Sequence, residues 1–240
     1  VKLDVLAIGA HPDDVELGCG GTLAGMASAG RRVGILHLTG GEGGTRGTPD
    51  ERRAEARRAG EALGAATVEI LDCGDGNLRG GTAEQELLIE VLRRWRPDLV
   101  LGPSPSDRHP DHERAHRLVK EACFYSGLRS RGGGGDAHRP AAVYSYMQHD
   151  PFDPSFVVDV TGAWERKLAA LAEYRSQLYQ GEATPDGPPT RVASRDFRDA
   201  VEGRARYFGQ LVGATYGEPF WSRVPPAVDD PLDILPRGIR

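Results

Sequence analysis

Three cysteines among 240 residues are too few and too far apart for a disulfide framework. Cys19, Cys73 and Cys123 leave an odd one over and form no C-x-x-C, which also excludes a zinc knuckle. They read as small core or pocket residues. No apolar run approaches the roughly 20 residues of a membrane span. The opening Val-Lys-Leu-Asp-Val carries no basic-then-apolar signal segment, so the expected location is the cytoplasm, with no membrane partner. Positive charge is not in excess either. A net charge of -5 and a pI near 5.8 argue against a polyanion, so no nucleic-acid partner is expected. No internal repeat is evident. What remains is a chain with 39% hydrophobic residues, long enough for one large α/β core.

The run Val5-Leu6-Ala7-Ile8 is short and branched and stops at Gly9, as a buried strand of a parallel sheet does. Further strands are predicted over Val33 to Leu38, Thr67 to Leu71, Leu99 to Leu101, Ala142 to Met147 and Phe156 to Val160. Helices fall between them. One begins near Leu17; a second follows the cap Thr48-Pro49-x-Glu51 and runs to about Leu63. A third, capped by Thr82 and Gln85, spans Ala83 to about Arg96, and a later one spans Ala163 to about Gln177. This alternation predicts a single-domain, Rossmann-like, doubly wound and mostly parallel sheet over residues 1–240, with helices on both faces. The segment 181–195 lacks any core pattern and reads as a mobile lid. The aromatic tail, Tyr216, Phe220 and Trp221, reads as docked on the core or on a subunit neighbour.

Directly after the first strand comes Ala10-His11-Pro12-Asp13-Asp14-Val15-Glu16. Ligands of open α/β sheets bind at such carboxyl-end exits. Two adjacent aspartates repel unless a cation or proton lies between them, so one can bind a metal beside His11 while its neighbour faces water. The plainer reading is that Asp13 and Asp14 only cap the following helix. His109-Pro110-Asp111-His112 leaves the fourth strand at the same edge and offers a third ligand. Two His and one carboxylate with an open position is a common catalytic zinc arrangement. His112 and His116, at i and i+4, form a rival ligand pair. The run Gly18-Cys19-Gly20-Gly21 is a poor dinucleotide fingerprint, because the acidic cluster precedes it and the second strand ends in Leu36-His37-Leu38 without the ribose-binding acid. Arg52 and Arg53 lie in the first turn of the second helix, next to the loop Thr39 to Gly47, where one of them can reach the pocket. The residues give no basis for placing His149 in the pocket or on the surface.

The motif His11-Pro12-Asp13-Asp14-Val15-Glu16-Leu17-Gly18 with Gly20-Gly21-Thr22, joined to His109-Pro110-Asp111-His112, resembles the LmbE-like (PIG-L) family of zinc-dependent N-acetylglucosaminide deacetylases. Arg46-Gly47-Thr48, His138-Arg139, Tyr144 to Met147, Ser176-Gln177 and Phe208-Gly209 extend the resemblance toward the bacillithiol-biosynthesis branch, which acts on N-acetylglucosaminyl malate. The resemblance implies zinc, or another divalent ion such as Fe2+, on His11, Asp14 and His112. It implies Asp13 as general base and His109, oriented by Asp111, as transition-state support, with Asp111 favouring the imidazolium. Arg53 is implied as a substrate contact and Arg139 as support around Asp13. A homo-oligomer, possibly a hexamer, and a small glycoconjugate substrate are further implications. Some relatives carry a tyrosine near Phe197, whose hydroxyl phenylalanine lacks. Rival expectations are deacetylation of a chitooligosaccharide or another glycoconjugate, cleavage of a thiol-sugar amide, or a non-catalytic metal- or dinucleotide-binding role.

Overall fold

The strand after Lys2 is buried on both sides, and this shapes the whole chain. In the computed structural model, which describes residues 2–181 and 187–234, β1 (Val5–Gly9) sends Val5 and Ala7 into one apolar core and Leu6 and Ile8 into another. Burial on both faces is why the run is continuous rather than alternating. The elements that follow are α1 (Asp14–Ser28), β2 (Val33–His37), α2 (Pro49–Leu63), β3 (Thr67–Ile70), α3 (Thr82–Trp95), β4 (Leu99–Gly102) and α4 (Pro110–Tyr125). Then come β5 (Ala142–Tyr146), β6 (Phe156–Asp159), α5 (Trp164–Glu173), α6 (Arg195–Leu211) and β7 (Gly217–Trp221).

The seven strands form one sheet in the order β3-β2-β1-β4-β5-β7-β6. β1 to β5 are parallel, and β7 runs antiparallel between β5 and β6. α1, α2, α5 and α6 supply one core; α3 and α4 supply the other. The expected doubly wound α/β sheet is what the chain adopts. Chain order reverses at β1, whose neighbours are β2 and β4. The carboxyl ends of β1 and β4 are therefore the switch point, and both His-rich loops leave the sheet there.

Several expected boundaries shift for identifiable reasons. α1 starts at Asp14 rather than near Leu17, then breaks at Cys19, whose φ of -144° and ψ of 20° are not helical. The groups freed by the break find side chains. Gly21 and Thr22 donate their N–H groups to Glu218, while the Leu17 carbonyl accepts from Lys167 at 2.9 Å. A Cβ at Gly18 would lie 2.2 Å from the Tyr146 ring, so this glycine lets the helix approach β5. α3 is capped by Gly81 with the Glu84 carboxylate, which accepts from Gly81 N at 2.7 Å, and not by Thr82 and Gln85; the Gln85 amide turns instead to Glu121. α5 ends at Glu173, four residues short of Gln177. The aromatic tail belongs to the core: Tyr216 stacks on Trp164 at 4.2 Å, and Phe220 is buried within β7. All three cysteines are free, with Cys19 and Cys123 buried. Of the lid expected over 181–195, residues 182–186 lie outside the described residues; beyond them, the Pro188 carbonyl accepts from Arg46 at 3.0 Å. No described helix is long and apolar enough to cross a membrane.

Candidate metal centre and its surroundings

The loop leaving β1 is bound to the neighbouring exit before any ligand is considered. The Ala10 carbonyl accepts from Thr39 N and Thr39 Oγ1, and His37 Nδ1 lies 3.0 Å from the His11 carbonyl. A carbonyl only accepts, so His37 carries its proton on Nδ1. Burial pushes this imidazole down to about 4 and keeps it neutral. Asp13 has φ 103°, and with Arg96 it is one of two non-glycine residues at positive φ among the described residues. Such backbone persists only where its surroundings impose it. Here Arg52 holds the turn, donating to the Pro12 carbonyl at 3.0 Å and to the Gly41 carbonyl at 2.6 Å. The turn brings Asp14 back onto His11, whose backbone N–H donates to Asp14 Oδ2 at 2.8 Å.

The β4 exit supplies the second half. His109 caps α4, and the first turn of that helix carries Asp111 and His112 inward, both buried. His112 Nε2 is 3.3 Å from Asp14 Oδ1, and His11 Nδ1 is 3.4 Å from Asp14 Oδ2. The two imidazoles turn their other nitrogens to carboxylates: His112 Nδ1 is 3.0 Å from Asp107, and His11 Nε2 is 3.0 Å from Asp75 and 3.4 Å from Asp111. Asp107 also accepts the backbone N–H groups of His109 and His149, so one carboxylate organises three histidines. The ligand atoms of His11, His109 and His112 lie within 4.8 Å of one another.

These residues fit a divalent ion. Donor atoms around tetrahedral zinc, at bond lengths of ~2.0–2.1 Å, are about 3.3–3.4 Å apart. His112 and His11 lie at about that spacing from Asp14, one from each oxygen, 3.3 Å from Oδ1 and 3.4 Å from Oδ2, which places the carboxylate between the two rings. A carboxylate behind an imidazole is the usual outer arrangement of a metal site, and both His11 and His112 have one. Charge points the same way, because the five carboxyl groups of Asp13, Asp14, Asp75, Asp107 and Asp111 converge there, with Arg52, Arg114 and Arg204 among the nearby cations. Burial opposes ionisation of Asp14, yet His112 and His11 hold its carboxyl well below the ordinary range. Burial likewise opposes the charge on Asp107 and Asp111, and their histidine partners and backbone donors still bring each down to about 2. Asp13 differs. Burial and the adjacent Asp14 charge push it up to about 7, against the pull of Arg52.

The structure thus brings together His11, Asp13, Asp14, His109, Asp111 and His112. The role expected of Asp111 needs correction. Its backbone N–H, not its carboxylate, orients His109 by donating to Nδ1 at 3.2 Å, while the carboxylate serves Gly76 N, Arg114 and His11. An accepting Nδ1 makes His109 a neutral ring with its proton on Nε2, in line with burial holding it below its ordinary value. Arg53 is exposed, with its guanidinium beside Gly40, whereas Arg52 takes the inner position. Arg139 is not at the site. It precedes β5 at the opposite edge of the sheet and donates to the Phe124 carbonyl, in the last turn of a 16-residue helix whose first turn carries the cluster. Such a helix spans about 24 Å. His116 points Nδ1 at the Pro103 carbonyl and joins no metal-ligating group among the described residues, which removes the His112–His116 pair. His149 lies at the centre, stacked on His112 at 5.6 Å and in turn touched by Phe197 at 5.9 Å.

A switch-point sheet whose strand exits gather imidazoles and carboxylates within metal-binding reach defines an α/β protein with a candidate site for a divalent ion. The chain belongs to the PIG-L family, whose sequence profile, described as GlcNAc-PI de-N-acetylase, matches residues 6–123. It is 32% identical to the diacetylchitobiose deacetylase of Thermococcus kodakarensis, over 89% of this chain and 80% of the relative. It is 31% identical to the 4-oxalmesaconate hydratase of Pseudomonas putida, over 69% of this chain and 70% of that protein. Among solved structures, a conserved protein from Thermus thermophilus superposes with a TM-score of 0.85 at 39% identity, covering 94% of this chain and 97% of the other.

Proposed function

We propose that the protein is a metal-dependent deacetylase that hydrolyses the acetamide of an N-acetylglucosamine conjugate, with zinc on His11, Asp14 and His112 and N-acetylglucosaminyl malate as its substrate. The observation that carries this reading is Asp13: a buried carboxyl pushed up to about 7, held at φ 103° next to the donor set. A general base works best with its pKa near the operating pH. When bound, the ion supplies Lewis acidity to the acetamide carbonyl and acidifies water beside Asp13. Asp13 takes one proton from that water as its oxygen attacks the acetamide carbon. The neutral His109 ring offers its Nε2 proton to the oxygen on which charge develops, an electrostatic role that needs no transfer. Asp13 then returns its proton to the sugar nitrogen, the C–N bond breaks, and the free amine leaves with acetic acid, which ionises to acetate in solvent. Arg53, exposed at the edge of the glycine loop, pairs with a carboxylate of the aglycone.

The test is acetate release from N-acetylglucosaminyl malate, N,N'-diacetylchitobiose and N-acetylglucosamine, using metal-stripped protein with and without zinc. Water addition to 4-oxalmesaconate is the competing arm, since a relative at 31% identity bears that activity's name. Zinc-dependent release strongest on the malate conjugate is expected. Release strongest on chitobiose would replace the substrate, and hydration without any acetate would replace the reaction.

A further inference from the structure

Asp14 is the carboxylate of the donor set, and one of its oxygens is held from outside both motifs. Oδ2 accepts the His11 backbone N–H, whereas Oδ1 accepts the side-chain amide of Gln148, two residues past the end of β5. An ionised carboxylate only accepts, so Gln148 must present its NH2 group and turn its carbonyl Oε1 away. That Oε1 is buried and has no hydrogen-bond partner. Leaving a buried acceptor unpaired costs about 1–3 kcal/mol. The rotamer is therefore imposed on Gln148 and is not the one its own hydrogen bonds would select.

Arg204, from the middle of α6, does the imposing. Its guanidinium donates to the Gln148 backbone carbonyl and, at 3.4 Å, to the Leu17 carbonyl of α1. The next residue along is fixed as well, because His149 N donates to Asp107, the carboxylate behind His112. The backbone at 148 is thus clamped between the helix that begins with Asp14 and the support of His112. The amide that leaves this clamp reaches the one ligand oxygen that no motif residue's backbone holds.

We infer that Gln148, locked by Arg204, is a positioning residue for the metal ion: it fixes the plane of the Asp14 carboxylate between the His11 and His112 imidazoles. This rests on the reading of His11, Asp14 and His112 as the ligands. Asp14 reaches the ion on a short side chain whose carboxylate can rotate, and the two N–H donors, one on each oxygen, remove that freedom before the ion arrives. Loss of an outer partner of this kind weakens metal binding about 10–100-fold.

The experiment is zinc competition against a chromogenic chelator, using the full chain, with urea unfolding of the metal-stripped forms alongside. Gln148→Met keeps the length and volume but has no donor. It is expected to bind zinc about 10–100-fold more weakly, with an unfolding midpoint in the metal-stripped state equal to that of the parent. A role confined to packing would move the midpoint and leave zinc affinity alone, and that result overturns the inference. Should Gln148→Met not fold, Arg204→Met leaves the amide in place but unclamped. Weaker zinc binding by that variant sustains the inference, and unchanged binding overturns it. Failure of the unsubstituted protein to bind zinc at all would instead strike the ligand reading beneath it.

Discussion

Two buried clusters of charge lie at the two ends of the first half of α1, and they differ in how completely their groups are paired. At the break, Glu218 accepts from Gly21 N, Thr22 N, Thr22 Oγ1 and Lys167, and Lys167 also reaches the Leu17 carbonyl. Neither Lys167 nor Glu218 has an unpaired buried polar atom. At the start of the helix the opposite holds. Both carboxylate oxygens of Glu16 and Gln148 Oε1 are buried without hydrogen-bond partners, and Asp13 is held at φ 103°. Native folds pair nearly all buried polar atoms, so exceptions gathered in one place need a reason. A cluster that builds the fold closes its hydrogen bonds internally, whereas one that receives an ion and a substrate keeps capacity open and stores strain.

The strongest way to break that contrast is Asp13→Asn. Asparagine tolerates positive φ, so the turn survives and only the ionisable group is lost. Acetate release should fall about 10²–10⁴-fold, the range for losing a general base. Stability should hold or rise, because a carboxyl pushed up to about 7 by burial and Asp14 works against the fold when ionised. Urea unfolding of the metal-stripped variant measures this. A destabilised but active variant would reverse the assignment of the two clusters.

Glu218→Leu probes the other end. It leaves the Lys167 ammonium buried without its counter-ion and removes the acceptor of two backbone N–H groups. Breaking one partner of a buried pair costs roughly 3–5 kcal/mol, read as a lower urea midpoint. Zinc affinity of the molecules that remain folded should not change. A parallel loss of affinity would mean that the break in α1 and the metal centre act as one unit.

How much of this was legible in the sequence follows the same division. The doubly wound sheet showed in the branched run Val5–Ile8 and in the alternation that follows, and a metal-ligating cluster showed because two His-Pro-Asp loops leave neighbouring parallel strands. Asp107, Asp75, Gln148 and Arg204 did not show. Each acts through contacts fixed by tertiary packing, and an aspartate in Ser-Pro-Ser-Asp or a glutamine after Tyr-Met has no periodicity to mark it. One signal was available for Gln148: β5 pairs in parallel with β4, so its exit reaches the same edge, and a polar residue there is a candidate. The choice between Arg52 and Arg53 turned on which way one helical turn faced the glycine loop. The protonation of His109 turned on a backbone donor that residue types alone do not reveal.

Glu16 gives the smallest and sharpest test, because pH reads its pairing directly. Burial pushes its carboxyl from 4.5 up to about 8, so the folded chain keeps a proton that the unfolded chain releases. With fewer protons bound in the unfolded state, stability must fall as pH rises from about 4.5 to about 8. Asp107 and Asp111 have the opposite sign, since both are brought down to about 2. Their contribution is complete above about 4 and is lost only on acidification toward 2. His112 is raised to about 9 by Asp14 and Asp107 against the effect of burial. Its contribution is full below about 6.5 and disappears as pH climbs through 9. Between about pH 5 and 6.5, where neither the aspartates nor His112 contributes a slope, Glu16 and Asp13 pull stability down as pH rises, while His37 and His149, each pushed down to about 4 by burial, pull it up. Urea midpoints of metal-stripped protein across that window should climb more steeply with pH in Glu16→Gln than in the parent, because the opposing contribution of Glu16 is gone. An unchanged slope would mean that Glu16 is ionised and paired within the fold, which would move it from the open cluster to the closed one.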